Sequence, residues 1–204
     1  MKAIIIDDHP LARIAIRNIL ENNGIEVIDE LESGANAIFT IETKRPDVII
    51  IDIDIPVVNG IEVLAKLRKR GFMEIIIIIS AKNDRFYGKR SSEVGASGFI
   101  SKKEGLNNLI AAIQAAKNGF SYFPLFLSKD VGNESPDEER LKSLSLQEFS
   151  VLSHILQGID NNSIAIKMNI SHKTVSTYKK RLMEKLECKN LIELYAFSSK
   201  NNIG

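Results

Sequence analysis

The chain has 204 residues, of which 44% are hydrophobic, and its 27 basic and 26 acidic residues leave a formal net charge of +1. These values are typical of a soluble globular protein with one large or two small domains. Because no apolar run is long enough for a membrane-spanning helix and the sequence turns acidic after a short apolar start, we expect neither a transmembrane segment nor a secretory signal. The single cysteine, Cys188, cannot form an internal disulfide, which favours a cytoplasmic location.

Strand-like and helix-like segments alternate through the first part of the chain. The strand-like runs are rich in β-branched residues and read AIIID, EVIDE, DVIIID, EIIIII and GFIS. Helical patterns lie between them, at about 10–24, 34–44, 59–70, 85–95 and 105–118. This alternation predicts an α/β domain over residues 1–122, with a parallel sheet covered on both faces. We take the sheet to be flavodoxin-like and doubly wound, with its five strands in the order 2-1-3-4-5.

The pattern changes after the last of these helices. Residues 128–143 lose the periodicity and gain Gly, Pro and charge, so we predict a linker over 123–143. Beyond it the pattern is helical throughout, which predicts a small all-α domain of four helices over 144–204. The residues placed to cap the first three helices are Ser145 with Glu148 as a capping box, Asp160 or Asn161, and Ser171.

Polar residues end four of the predicted strands. Asp7 and Asp8 follow the first strand and Asp52 ends the third, and these strands are neighbours in the order 2-1-3-4-5. Converging carboxylates repel one another, and a hard divalent cation such as Mg²⁺ relieves that repulsion. Because Ser80 and Lys102 end two later strands, the set suits an anionic phosphoryl group. The alternative is that these are solvated turn residues.

The motifs at these strand ends, IIIDDHP, DIDIPVVNG, IISA and GASGFISKK, resemble those of response-regulator receiver domains in order and spacing. The resemblance implies that Asp52 is the phosphoacceptor nucleophile and that Lys102 pairs with the phosphoryl oxygens. The residues it implies for holding Mg²⁺, directly or through water, are Asp7, Asp8, Asp52 and the backbone carbonyl of Asp54. Ser80 and Phe99 would be the switch residues, with the hydroxyl moving to the phosphate and the ring repacking. Many relatives carry Tyr at the position of Phe99. Because Phe lacks the tyrosine hydroxyl, any signal that depends on a hydrogen bond from that hydroxyl is absent here.

Asp54, two residues after Asp52, allows two further interpretations. The D-x-D pair also opens the active site of haloacid-dehalogenase-type phosphatases, in which the second Asp is the general acid. That family places the motif on an early strand with Thr or Val two positions later, whereas here the strand is the third and position 56 is Pro. Alternatively, Asp54 and Lys82 pair across the phosphoryl group and limit the access of water, unless both are simply solvated surface charges.

Positive charge concentrates in the last third of the chain, where residues 144–204 carry eight basic and five acidic residues. A short helix, a turn at Met168–Ser171 and a longer basic helix have the geometry of a helix-turn-helix. Such a helix can enter a major groove, with lysines on phosphates and short hydroxyls or a lysine at base edges. The alternative is an ordinary solvated basic helix.

The motifs LSxxE, IA and ISxKTVSTYKxRLMEKL of this segment resemble the LuxR-type helix-turn-helix of NarL/FixJ-family response regulators. By that resemblance, the base contacts come from Ser176, Thr177 and Lys180. The phosphate contacts come mainly from Lys173, Thr174, Lys179 and Arg181. The last helix, with Leu191 and Leu194, would help to form a dimer on DNA, would close the core of the small domain, or would do both.

Together the two resemblances predict a cytoplasmic two-component response regulator and not an enzyme. Phosphorylation of Asp52 by a membrane-bound hybrid sensor histidine kinase would control formation of a homodimer and sequence-specific binding to double-stranded DNA. Transcription would then be regulated through RNA polymerase. The alternative is a DNA-binding regulator whose receiver is independent of phosphorylation and serves only for dimerisation.

Overall fold

The computed structural model describes residues 1–124 and 135–203, and the chain divides into two compact units, Met1–Lys129 and Asp130–Gly204. Residues 125–134, in the predicted linker, lie outside the described residues. Among the described helices, none combines the length and the apolar character that crossing a bilayer requires.

The first unit is built on a five-stranded sheet. Its strands are β1 (Lys2–Ile6), β2 (Glu26–Leu31), β3 (Val48–Asp52), β4 (Ile75–Ser80) and β5 (Gly98–Ser101). All pairs are parallel and the order is β2-β1-β3-β4-β5, which confirms the predicted topology. The register places Asp52 beside Ile79 and Ser80 beside Ser101. The carboxyl ends of the central strands therefore meet along one edge of the sheet.

Helices cover both faces of this sheet. They are α1 (Pro10–Asn22), α2 (Ala37–Lys44), α3 (Gly60–Lys69), α4 (Asp84–Val94) and α5 (Leu109–Lys117), with a short 3-10 helix at Lys102–Glu104. The consecutive residues Ile4, Ile5 and Ile6 are all inaccessible to solvent. Since successive strand residues point to opposite faces, an unbroken apolar strand is what a sheet buried on both sides needs.

The loop after β3 returns tightly to the strand end. Asn59 caps α3, because its side chain accepts a hydrogen bond from the Glu62 amide. A Cβ on Gly60 would lie 2.3 Å from the carbonyl oxygen of Asp52, so only glycine fits there. Val57 adopts a φ of 73°, a strained value for a β-branched residue. The glycine and the cap together fix the backbone that carries Asp52.

The second unit is all helical. Its helices are α6 (Pro136–Lys142), α7 (Leu146–Leu156), α8 (Asn161–Met168), α9 (His172–Lys185) and α10 (Leu191–Lys200). The capping box of Ser145 and Glu148 opens α7 as predicted, and Ser171 caps α9. Asp160, rather than Asn161, caps α8, because its carboxylate accepts the amides of the first turn. Val175 and Leu182 of α9 are fully buried, so the apolar face of that helix packs in the core of the second unit.

Helix α6 differs from the sequence prediction, which assigned its residues to the linker. Ser135 and Glu138 form a capping box at its start, and Pro136 occupies the first turn. Leu141 is buried, and Asp137 accepts a hydrogen bond from Lys200 at 2.6 Å. These contacts join α6 to the helices of the second unit. The charge and the proline that suggested a linker are instead the residues of a capped helix start.

Candidate functional sites

Three carboxylates converge at the carboxyl ends of β1 and β3. Asp7 and Asp52 are buried, and Asp8 is partly exposed beside them. One possible ligand atom of each, together with a ring nitrogen of His9, falls in a group whose members all lie within 4.8 Å of one another. His9 lies beside these carboxylates, and its Nδ1 is 2.7 Å from Oδ1 of Asp8. The structure thus brings together the predicted acidic residues and adds an imidazole at the rim.

Lys102 bridges the two buried carboxylates. Its Nζ donates to Oδ2 of Asp7 at 2.8 Å and to Oδ2 of Asp52 at 2.7 Å. Burial raises the pKa of Asp52, an effect that Lys102 opposes and the charge of Asp7 reinforces. Burial alone would lower the pKa of Lys102, but its contacts with the two carboxylates outweigh this and raise it. The ammonium group therefore stays charged in the pocket.

One carboxylate oxygen of Asp52 lacks a hydrogen-bond partner in the part of the chain that the structure describes. Among the described residues, no group donates a hydrogen bond to Oδ1, although this atom is buried. A buried carboxylate oxygen without a donor is energetically unfavourable, and it points to a partner that binds the site. The donor set of carboxylate oxygens fits a hard divalent cation such as Mg²⁺, and the free oxygen is available to react with an electrophile.

The other predicted pocket residues lie at or near the same edge. Ser80 is inaccessible to solvent, and its Oγ accepts a hydrogen bond from the Lys82 amide at 3.1 Å. Phe99 is fully buried in β5. Asp54 and Lys82 form an ion pair, with Nζ 2.5 Å from Oδ1. The predicted pairing of these two charges is therefore present.

Arg13 also contacts this site, although the sequence motifs did not indicate it. Its Nη1 donates to the backbone carbonyl of Asp7 at 2.8 Å, so it contacts the backbone of the acidic cluster. A signal was present, because Arg13 lies on the same helix stripe as Ile16 and Leu20, the other buried residues of α1. A basic residue on an inward-facing stripe needs hydrogen-bond acceptors within the fold.

Helix α9 presents a basic outer face. Among the residues predicted to contact DNA, Lys173, Thr177, Lys180 and Arg181 are exposed, whereas Thr174, Ser176 and Lys179 are half-buried. Lys173, Thr177 and Lys180 recur at the spacing of one helix face. The hydroxyl of Thr177 donates to the Lys173 carbonyl at 2.9 Å. The hydroxyl of Thr177 is therefore engaged within α9, and only the methyl group of this side chain makes no hydrogen bond to the helix.

In the last helix, one of the two residues predicted as dimer contacts lies in the core instead. Leu194 is fully buried, so it closes the core of the second unit, which was the alternative role. The exposed apolar side chains of α10 are Leu191, Ile192 and Tyr195. The hydroxyl of Tyr195 donates to the carbonyl of Ile155, which ties α10 to the end of α7. Sequence periodicity could not distinguish the two faces because both carry apolar residues.

Comparisons with known proteins agree with these two sites. Residues 3–114 match the response regulator receiver domain, and residues 142–198 match the bacterial regulatory proteins of the luxR family. The DNA-binding transcriptional activator EvgA of Escherichia coli (strain K12) is 62% identical over 204 residues, covering all of both chains. BvgA of Bordetella pertussis is 36% identical over 206 residues, covering 100% of this chain and 99% of its own. The resemblance to EvgA is therefore stronger than the resemblance to BvgA.

A solved structure gives the same result. RcsB from Salmonella enterica serovar Typhimurium, bound to promoter rprA with phosphomimetic BeF₃⁻, is 27% identical with a TM-score of 0.80, covering 98% of each chain. The alternative interpretation as a phosphatase is wrong, since the D-x-D pair lies within the match to the receiver domain. The chain belongs to the response regulators that join a receiver domain to a LuxR-family regulatory domain, and it is a regulator rather than an enzyme.

Proposed function

We propose that Asp52 accepts a phosphoryl group from a membrane-bound hybrid sensor histidine kinase, and that this modification controls dimerisation and DNA binding. The observation that carries the proposal is the buried Oδ1 of Asp52, which has no donor among the described residues, in a pocket where Lys102 already holds Oδ2 of both Asp7 and Asp52. The receiver would cover residues 1–122. The DNA-binding domain would cover the predicted 144–204 and also α6, which shortens the linker of 123–143.

The chemistry at Asp52 follows from its two oxygens. Oδ1 attacks the phosphorus of a phosphohistidine, the P–N bond to the imidazole breaks, and a P–O bond to Asp52 forms. Lys102 neutralises the negative charge that collects on the phosphoryl oxygens, because its Nζ is already within 2.7 Å of Oδ2. Burial keeps the product carboxyl phosphate away from bulk water. The half-exposed mouth at Asp8 leaves a path for the donor.

A Mg²⁺ ion would be held by Asp7, Asp8, Asp52 and the backbone carbonyl of Asp54. Its role when bound is to supply positive charge against the phosphoryl oxygens. Three carboxylates facing one ammonium leave the pocket with excess negative charge, which supports a cation as the balancing group.

The switch would use the buried residues next to the pocket. Ser80 has a hydroxyl at the end of β4 whose present bond is to a backbone amide, and moving that hydroxyl to the phosphate exchanges one hydrogen bond for a charge-assisted one. Phe99 would repack into the space that the hydroxyl leaves. A covalent switch shifts a two-state equilibrium only if the phosphate interacts differently with the two states, and this exchange supplies the difference.

DNA binding would use the outer face of α9. Ser176, Thr177 and Lys180 would contact base edges, with the Thr177 methyl group suited to a thymine methyl. Lys173, Thr174, Lys179 and Arg181 would contact mainly phosphates. The exposed apolar residues of α10, rather than Leu194, would form the dimer contact on double-stranded DNA. EvgA is named as a transcriptional activator, which supports activation through RNA polymerase, and we infer that the protein acts in the cytoplasm.

The experiment is incorporation of acid-labile phosphate from acetyl phosphate with Mg²⁺. We expect wild type to be labelled and Asp52→Ala to remain unlabelled, while Asp54→Ala, the neighbouring carboxylate, is labelled like wild type. Absence of labelling in wild type would contradict the proposal. Labelling with no change in DNA binding would instead support the alternative regulator whose receiver only dimerises.

A further inference from the structure

We propose that Arg13 is a positioning residue of the acidic pocket, whose guanidinium fixes the Asp7–Asp8 peptide in the orientation that a bound divalent cation needs. The inference rests on the proposed cation site and goes beyond it, because Arg13 would itself touch neither the cation nor the phosphoryl group. It acts through the backbone of the residue that precedes Asp8.

Each part of the Arg13 guanidinium is engaged. The side chain is on the inward stripe of α1 and the residue is only 8% exposed. Nη1 donates to the Asp7 carbonyl at 2.8 Å, Nε to Glu30 at 3.2 Å and Nη2 to Glu32 at 2.7 Å. The two glutamates come from the end of β2 and the residue just after it. The two glutamates thus hold the planar guanidinium on one side, which directs Nη1 toward the end of β1.

The geometry of the peptide bond carries this position to Asp8. The carbonyl of Asp7 and the amide of Asp8 belong to one planar unit, so fixing the carbonyl fixes the direction in which the chain enters Asp8. On its other side, the Asp7 amide donates to the Leu31 carbonyl at 3.0 Å. The Asp7 carboxylate is fixed as well, because it accepts the His9 amide at 2.9 Å. Asp8 is the more exposed carboxylate, and this peptide is its connection to the rigid sheet.

Arginine suits this task better than lysine would. A guanidinium can donate in three directions within one plane, whereas an ammonium is a compact point charge on a flexible stem. The charge is also compensated locally, since Glu30 and Glu32 both pair with it. Arg13 therefore donates a hydrogen bond to the Asp7 carbonyl, while the two glutamates offset its positive charge near the cation site. Partners that orient metal ligands in this way change metal affinity about 10-fold to 100-fold when removed.

Arg17 provides a matched control. It is one turn further along α1 and donates to the same Glu30 at 2.7 Å, and to Glu21 at 2.9 Å. Within the described residues, its side-chain hydrogen bonds are to these carboxylates and not to the Asp7 carbonyl. Arg17→Met thus removes a cation from the same cluster and leaves the Asp7–Asp8 peptide held.

The test measures Mg²⁺ binding to the full, unphosphorylated chain by isothermal titration calorimetry, alongside the melting temperature without metal. We expect Arg13→Met and Arg13→Lys to weaken Mg²⁺ binding about 10-fold or more, and Arg17→Met to change it less than about twofold. Glu32→Gln, at a more exposed carboxylate, should weaken binding by an intermediate factor. A lower melting temperature with an unchanged dissociation constant for Mg²⁺ would show a merely structural role and overturn the proposal.

The outcome is decided even if one variant does not fold. Should Arg13→Met be unfolded, Arg13→Lys and Glu32→Gln decide, and wild-type Mg²⁺ affinity in both overturns the proposal. The result is also separable from the proposed function. Wild type that binds Mg²⁺ but takes up no phosphate contradicts phosphorylation at Asp52 and leaves the role of Arg13 to be judged by the Mg²⁺ titrations alone.

Discussion

The acidic pocket of the first unit and the basic helix of the second hold charge in opposite ways. Lys102 has an 18% exposed side chain with two carboxylate partners within 2.8 Å, whereas the Lys180 side chain is 79% exposed and its nearest ion-pair partner, Glu184, is 3.8 Å away. A buried, saturated charge is preorganised for one chemical step. An exposed, loosely paired charge is free to exchange its counterions for DNA phosphates. The roles proposed for the two lysines differ accordingly, with chemistry in the first unit and long-range attraction of DNA in the second.

The largest effect is expected from removing the buried cation. Lys102→Met would leave Asp7 and Asp52 buried without a cation, and should lower the free energy of unfolding by about 3 kcal/mol near neutral pH. A raised pKa means that the folded state binds a proton more readily than the unfolded state, so the cost should shrink as the pH falls and Asp52 takes up a proton.

Chemical denaturation at several pH values would measure this effect. Lys180→Met, which removes an exposed lysine, serves as the control and should change stability by less than about 0.5 kcal/mol. Equal losses of unfolding free energy in Lys102→Met and Lys180→Met would contradict the proposed difference between the two lysines.

The next effect concerns DNA. Lys180→Ala should change sequence preference, with about 2 kcal/mol lost on the preferred site and little on other DNA. Lys173→Ala should weaken binding to all sequences about equally. It should also reduce the slope of log affinity against log salt concentration by about one. Binding titrations against a preferred and a scrambled duplex at several salt concentrations distinguish the two. Uniform losses for both variants would show that Lys180 is a phosphate contact as well.

A smaller effect is expected inside the second unit, where one ion pair resembles those of the pocket. Glu148 is buried, caps α7 and accepts a hydrogen bond from Lys185 of α9 at 2.6 Å. Glu148→Gln should lower stability by about 2 kcal/mol at neutral pH. Glu193→Gln, at the matching position of α10 but exposed, should cost less than about 0.5 kcal/mol.

The pH dependence of that loss follows from the pKa of Glu148. Burial would raise this pKa, but the hydrogen bonds from Lys185 and Ser145 outweigh it and lower the pKa below its ordinary 4.5. The stabilisation is therefore complete above that value and is lost as the pH falls through the lower folded pKa. The difference between wild type and Glu148→Gln should shrink in acid, and a difference independent of pH would contradict this assignment.

The smallest effect is on the lifetime of the phosphorylated state. Asp54→Ala breaks the pair with Lys82 at the mouth of the pocket and should speed loss of phosphate about twofold, since a partly exposed pair contributes less than about 1 kcal/mol. Glu42→Ala, which breaks an exposed pair with Arg70, should leave the rate unchanged. The decay of labelled protein measures both rates. Equal rates for all three proteins would make Asp54 and Lys82 ordinary surface charges.

The strand ends were predictable from the sequence because they depend on local patterns and on one topological rule. Apolar strands followed by Asp7, Asp52, Ser80 or Lys102 place those residues at one edge once the strand order is assumed. Helix α6 was missed because proline and charge were interpreted as linker features, although SPDE is itself a capping-box pattern.

Other residues could not be placed without the tertiary fold. Arg13 was missed because a charged helix residue is usually solvated, and its carboxylate partners, Glu30 and Glu32, lie at and just after the end of β2, in a different part of the chain. For Leu194 the sequence left a dimer contact and a core position both open, because both faces of α10 carry apolar residues and only packing decides which turns inward.

The central claim is that chemistry at the buried pocket controls binding by the exposed helix. The direct measurement is the affinity of the full chain for a selected DNA duplex, with and without acetyl phosphate and Mg²⁺, for wild type and Asp52→Ala. We predict that phosphorylation tightens binding by wild type at least about tenfold and does not change binding by Asp52→Ala. Equal affinities of phosphorylated and unphosphorylated wild type would contradict the account.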